Sequence, residues 1–194
     1  IHFSHRLRAV NYKNDHVTAL DFGNEQIAIG PGDRVILAVP PSVAHTLMPE
    51  IVTPDAFRPI VNGHFRVPKK SKDVSFMGLV GSIAHWLFVR GDVVSITVSA
   101  ATDLVPQSNS DIADCLWSDI CIALDLGDCL MGEHRIVKEK RATFAQTPEQ
   151  LLKRSGAKTQ WKNLALAGDW TATGLPATIE GTIRSGNTAA SFVF

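Results

Sequence analysis

The sequence predicts a mixed α/β protein of the α+β kind, in which part of a parallel layer accompanies a separate antiparallel-sheet domain. Three observations lead there. Leu164 to Ala167 is a short, wholly apolar run of the sort that forms a buried parallel strand, and a polar, Gly-bounded loop from Gly168 to Gly174 leads from it into a helix-forming segment from Pro176 onward. From Ile1 to Ile29 short strand-like segments alternate with Gly, Asn and Asp, as in a small antiparallel meander. Between these, residues 50–147 hold alternating or β-branched runs around one helical segment.

Taken in order, Ile1 to Tyr12 reads as a strand, with Phe3, Leu7 and Val10 as its apolar residues. Val17 to Phe22 and Gln26 to Ile29 follow as strands, separated by turns at Asn11 to Asp15 and at Gly23-Asn24. Arg34 to Val39 is a continuous apolar strand that should rejoin the parallel layer. It ends in Pro40-Pro41, with a short helix from Ser42 to Leu47. In the middle, Ile60 to Val67, Val74 to Val80, Trp86 to Arg90 and Val93 to Ala100 read as strands. Ser108 to Leu126 is a helix capped by Ser108 or Ser110, with Ile112, Leu116, Ile120, Ala123 and Leu124 near helical spacing. Arg135 to Phe144 is a further strand, and the polar residues 148–162 read as a surface connection. The domain boundaries that follow are 1–49 with 148–194 for the parallel layer and 50–147 for the inserted sheet.

The chain has 194 residues, of which 45% are hydrophobic and 20% charged, enough to build a core in one or two domains. The formal net charge is zero and no long basic run occurs, which argues against nucleic acid as a partner. Cys115, Cys121 and Cys129 form no Cys-x-x-Cys motif, so free thiols in a reducing cytoplasmic setting are expected. No His-x-x-x-His or His-Glu-x-x-His spacing exists and no metal site is expected; no Gly-x-Ser-x-Gly elbow supports a hydrolase. The most apolar window, Met77 to Val89, is too short to span a membrane.

A strand that feeds a polar loop and a helix start suits an anionic or polar ligand, because open N–H groups and the helix dipole face the loop. Pro176 fits the first helical position. Gly181 and Gly186 would each cost about 1 kcal/mol inside the helix relative to Ala, which points to close approach of another group, with tight helix–sheet packing as the reading for Gly186. Asp169 follows the strand end directly, where its carboxylate either accepts from a ligand hydroxyl or caps local N–H groups. Glu180 suits a helix N-terminus, and Arg184 receives no role. His64 and His85 fall in apolar strands and read as core histidines. Phe65, Phe76, Trp86, Phe88, Trp117 and Trp170 read mostly as core, with a hydrocarbon tunnel as the alternative.

The run Leu166-Ala167-Gly168-Asp169-Trp170-Thr171, followed by Leu175-Pro176-Ala177-Thr178-Ile179-Glu180-Gly181 and Arg184-Ser185-Gly186, resembles the C-terminal FAD-binding signature of flavin amine oxidases and phytoene-type desaturases. Two further segments, Pro59 to Phe65 and Arg135 to Phe144 with Gln146-Thr147-Pro148, are similar to the squalene-associated FAD-dependent desaturases, or hydroxysqualene dehydroxylases. The resemblance covers nearly the whole chain. It implies a partial Rossmann-like FAD-binding layer and an antiparallel substrate domain.

It also implies FAD as cofactor, with Gly168 and Asp169 at the ribityl or pyrophosphate part and Thr178, Ile179 and Glu180 at the flavin O2 and the charge developing at N1. Ala38 and Pro40 would lie beside the cofactor, and the Leu7 backbone at the adenine. No catalytic residue is assigned. The implied activity is an oxidoreductase of hopanoid or carotenoid biosynthesis acting on an apolar polyisoprenoid: hydroxysqualene, squalene or a phytoene-like chain. The implied setting is cytoplasmic, with peripheral contact at the inner membrane and a homo-oligomer as open options.

The family's N-terminal Gly-x-Gly-x-x-Gly turn does not occur in these residues, and the chain opens with Ile inside an expected strand. A C-terminal fragment is therefore expected, unable to hold FAD by itself and prone to self-association. A flavin amine oxidase and an inactive fragment or binding module are the alternatives.

Overall fold

The computed structural model describes residues 1–67 and 75–193. In chain order its elements are β1 (Ala9–Lys13), β2 (His16–Asp21), β3 (Gln26–Ala28), β4 (Val35–Leu37), α1 (Pro41–Leu47), β5 (Phe57–Arg66), β6 (Phe76–Gly78), β7 (Trp86–Arg90), β8 (Val93–Ser99), α2 (Asn109–Leu124), β9 (His134–Phe144), α3 (Pro148–Leu152), β10 (Leu164–Leu166) and α4 (Ile179–Val193). The fold is a mixture of helix and largely antiparallel sheet. It divides into two compact units, Ile1–Ala56 with Phe144–Phe194, and Phe57–Thr143.

In the first unit β1, β2 and β3 form the antiparallel meander. β1 is shorter than the sequence suggests: the backbone at Ser4 takes φ 60°, incompatible with an extended strand, and pairing starts only at Ala9. Asn163 ties β2 to the start of β10, its side chain accepting from Val17 N–H at 2.8 Å and donating to Val17 C=O at 2.9 Å. β4 and β10 pair in parallel with Leu164 opposite Val35 and Leu166 opposite Leu37. α4 covers this pair, with Ala189 packed among Ala165 and Ala167. The connection expected at 148–162 contains α3. Its signals are in the sequence, since Thr147 caps it by accepting from Gln150 N–H at 3.4 Å and Pro148 opens it.

The second unit is a five-stranded sheet in the order β6-β7-β8-β5-β9, with α2 on one face. Ser108 caps α2, its hydroxyl accepting from Asp111 N–H at 3.1 Å, and Asp125 ends it in the left-handed conformation at φ 55°. Ile112, Leu116, Ile120 and Leu124 line one stripe of the helix and pack on Val61, Phe65, Leu87, Val94, Ile96 and Val98 of the sheet. Of the strand expected over Val74 to Val80, Val74 lies outside the described residues and β6 is confined to Phe76–Gly78. Leu116→Ala should cost about 2–5 kcal/mol by thermal unfolding, because it empties a fully buried site. Ile122→Ala, on the exposed side of the same helix, should stay within about 0.5 kcal/mol.

Strand parity separates the faces of this sheet. Val61, Gly63 and Phe65 of β5 are buried against the helix, while His64 between them is exposed on the opposite face. The core reading of His64 is therefore corrected. His85 is exposed too, its Nδ1 accepting from Ser99 N–H at 3.1 Å. Of the six aromatics, Phe65, Trp117 and Trp170 are core, while Phe76, Trp86 and Phe88 are exposed. The three cysteines are free and half-buried. Among the described residues no three His, Cys, Asp or Glu side chains cluster as metal ligands. Nor is any described helix long and apolar enough to cross a membrane.

Candidate functional site

Because β4 and β10 are parallel, their carboxyl ends open on one edge, the place where open α/β sheets receive ligands. Ala167 N–H donates to Leu37 C=O at 3.1 Å, the last rung of the pair. Beyond it the chain turns at Gly168, φ 146°, whose N–H donates to Ser185 Oγ of α4 at 2.8 Å. Trp170 folds inward and is almost fully buried, and its Nε1–H donates to Val39 C=O at 2.9 Å. That bond brings the Ala38–Pro40 segment, itself exposed at Ala38 and Pro40, beside the Gly168 turn. A Cβ on Gly168 would sit 2.6 Å from Trp170 Nε1, so the glycine is required by the way the loop closes over its own tryptophan. At Gly181 a Cβ would meet Pro176 C=O at 3.0 Å; at Gly186 nothing lies within 4 Å, so the tight packing expected there is absent.

Arg154, just after α3, holds this loop. Its guanidinium donates to the carbonyls of Asp169 at 3.0 Å, Leu175 at 2.8 Å and Trp170 at 3.4 Å, and to Thr173 Oγ1 at 2.9 Å. It also lies 5.1 Å from the centre of the Phe144 ring. Burial pulls its pKa below the ordinary arginine value, an effect opposed by the nearby Asp169 charge. Nothing in the sequence singled out this residue, since three of its four acceptors are backbone carbonyls that no motif records.

Asp169 is half-buried, and burial pushes its carboxyl pKa up. The Trp170 N–H, Arg154 and its own N–H act in the opposite direction. Among the described residues no side chain donates a hydrogen bond to this carboxylate.

The helix start differs from expectation. α4 begins at Ile179 rather than Pro176, because Thr178 is its cap: Thr178 Oγ1 accepts from Gly181 N–H at 3.1 Å, and Thr182 N–H reaches Thr178 C=O at 3.0 Å. The N–H groups of Ile179 and Glu180 have no acceptor within the helix, and among the described residues none is recorded outside it. The Glu180 carboxylate pairs with Arg184 at 2.7 Å along the helix surface, which gives Arg184 a partner. Ala38, Pro40, Gly168 and Asp169 thus lie at the carboxyl ends of β4 and β10, and Thr178, Ile179 and Glu180 begin the helix that packs on those strands. Leu7 is half-buried just ahead of β1, and among the described residues no hydrogen bond ties it to the loop.

A half-buried carboxylate acceptor and two N–H donors at a helix start suit a ligand with hydroxyls at one part and carbonyl oxygens at another, as a flavin carries on its ribityl chain and pyrimidine ring. Parallel strand ends, a Gly-Asp turn closed by a buried tryptophan and the start of a helix form the candidate site. Residues 1–193 match the family of flavin containing amine oxidoreductases, and the chain belongs to it.

The chain is 46% identical over 190 residues to the hydroxysqualene dehydroxylase of Sinorhizobium fredii, covering 98% of this chain and 45% of that protein. It is 45% identical over 194 residues to the one from Rhodopseudomonas palustris, covering 100% and 46%. A 15-cis-phytoene desaturase from an Oncidium hybrid is 22% identical over 222 residues, covering 100% of this chain and 38% of that protein. The chain thus spans about half the length of the hydroxysqualene dehydroxylases it matches. Among solved structures, an oxidoreductase from Methanosarcina mazei matches at TM-score 0.68 and 10% identity, covering 95% of this chain and 48% of that one. Cyclohexylamine oxidase from Brevibacterium oxydans matches at TM-score 0.65 and 10% identity, covering 97% and 48%. These two share the fold.

Proposed function

We propose that the full-length protein is an FAD-dependent oxidoreductase that removes the hydroxyl of an apolar polyisoprenoid alcohol, hydroxysqualene, by reduction. The observation that carries this reading is the 41–46% identity to three hydroxysqualene dehydroxylases along essentially the whole chain. The strand-end edge supports it with the right donor set. Asp169 would accept from ribityl hydroxyls, and the Ile179 and Glu180 N–H groups would face the flavin O2, where fixed dipoles stabilise charge on the ring. Gly168 and the Ala38–Pro40 segment would form the wall of the same edge, and Thr178 would hold the helix start in place. When bound, reduced FAD supplies a hydride, two electrons and a proton equivalent, to carbon. A substrate this apolar partitions into lipid, so the reading includes peripheral contact with a membrane.

Full-length protein incubated anaerobically with chemically reduced FAD and hydroxysqualene is expected to form squalene in step with flavin oxidation. Oxidation of simple amines with peroxide release, and no squalene, would replace this reading with an amine oxidase.

A further inference from the structure

We propose that Cys121 and Cys129 are an oxidation site that closes reversibly to a disulfide at the C-terminal end of α2. Both cysteines lie in the second unit, and the proposal is independent of the substrate class proposed above.

Eight residues separate the two cysteines, and the chain doubles back between them. α2 ends at Leu124, and Asp125 turns left-handed at φ 55°. The Asp125 and Leu126 N–H groups close the last turn on the carbonyls of Ile122, at 3.4 Å, and Cys121, at 3.0 Å. Gly127 is left-handed as well, at φ 62°, where a residue with a side chain would be strained. The returning segment is then fastened to the helix it has left: Trp117 Nε1–H donates to Cys129 C=O at 3.0 Å. Trp117 and Cys121 are four residues apart, so they share one face of α2, one turn after the other. Cys129 is thereby held beside the face that carries Cys121. Both half-buried side chains pack against the same core cluster, as do Leu126 and Met131. Cys115 does not join that cluster; six residues before Cys121, it lies about 240° around the helix from it.

The two thiols also divide the chemistry between them. Burial raises the Cys121 pKa, and the charges of Cys129 and Asp128 push it further up. Cys121 therefore keeps its proton and is the resolving thiol, while Cys129 meets the oxidant first.

Hydrogen peroxide is the oxidant. The Cys129 sulfur attacks one peroxide oxygen and the O–O bond breaks. The departing hydroxide takes the Cys129 proton and leaves as water, and Cys129 is left as a sulfenic acid. The Cys121 sulfur then attacks the Cys129 sulfur and the S–O bond breaks. That oxygen leaves as a second water with the Cys121 proton. The thiols lose two electrons and two protons in all, and one peroxide becomes two waters. A small thiol such as glutathione returns both electrons by exchange. In a reducing compartment such a bond is transient and senses oxidant. Closed, it staples the returning segment to the helix that carries the core stripe of this unit.

The test treats reduced full-length protein with hydrogen peroxide, caps the remaining thiols with N-ethylmaleimide and digests without reductant, using a protease that cuts before aspartate. Cuts before Asp119, Asp125 and Asp128 place Cys115, Cys121 and Cys129 on three separate peptides. The expected product by mass spectrometry is the peptide starting at Asp119 joined to the one starting at Asp128, parted again by dithiothreitol, with Cys115 capped. Closing this loop should also raise the melting midpoint of the parent by about 5 °C, an increase that dithiothreitol removes. Cys129→Ser should lose both the link and the shift, and Cys115→Ser should keep both. Cys121 and Cys129 recovered capped, or oxidised to sulfinic acid without a link, would overturn the proposal. So would a link from either one to any other cysteine. The peptide result is read on the parent alone, so it decides the matter even where Cys129→Ser fails to fold.

Discussion

Full-length protein carrying Asp169→Asn is expected to bind FAD about five- to ten-fold more weakly, and yet, freed of flavin, to melt at a higher temperature than the parent at pH 7. The two effects have one cause. Asp169 is half-buried, without a side-chain donor among the described residues, and burial raises its pKa above the ordinary value of 3.8. In the unfolded chain the carboxyl ionises at its ordinary value, so above that pH the folded state carries an ionised group it disfavours. The destabilisation is fully developed above the raised folded-state pKa, shrinks as pH falls through it, and vanishes below about pH 4. Asn removes it, so the melting advantage should be present at pH 7 and should close on acidification. The same substitution replaces a charged acceptor by a neutral one, and hydrogen bonds to charged groups are stronger by about 1 kcal/mol. Parallel pH series of thermal melts on flavin-free protein, with FAD titrations, check both signs. A variant that binds FAD like the parent would remove Asp169 from the site.

Arg154→Ala should have the largest structural effect in the first unit. Four acceptors share one guanidinium, and without it the part-buried carbonyls of Asp169, Trp170 and Leu175 lose their donor. An unsatisfied buried acceptor costs about 1–3 kcal/mol, and relaxation of the loop limits the sum to about 2–4 kcal/mol. FAD affinity should fall with it, because the loop that carries Asp169 is no longer held. Arg154→Lys keeps the charge but not the fork, and should recover only part of each loss. Denaturant melts and flavin titrations measure both. A melt within about 0.5 kcal/mol of the parent would show that the loop holds itself.

How much of this could be read from the chain depended on whether the cause was local. Leu164 to Ala167, the Gly168 turn and a helix beyond it were legible because an apolar run, a Gly-Asp pair and helix-forming residues are local signals. The helix start was misplaced by a few residues because Pro176 and Thr178 both suit a helix beginning; the Thr178 hydroxyl caps Gly181, while Arg154 draws the Leu175 carbonyl away from the helix. α3 was overlooked although Thr147-Pro148 is a cap and opener, because the charged residues after it read as surface. His64 was misjudged through parity alone: an apolar strand says that one face is buried, and a one-residue offset decides which. Arg154 left no trace, since its acceptors lie 15 to 21 residues further along the chain and most belong to the backbone. The edge formed by β4 and β10 needed their parallel register, which no short window contains.

The central claim is that the flavin occupies the carboxyl edge of β4 and β10 and is met by the Gly168 turn and the α4 start. Hydrogen–deuterium exchange on the full-length protein, with and without saturating FAD, tests it most directly. The expected result is protection concentrated at Ala38 and Val39 and from Gly168 to Gly181, strongest at the N–H groups of Ile179 and Glu180. Saturation with FAD that leaves those amides exchanging at their flavin-free rates would contradict it.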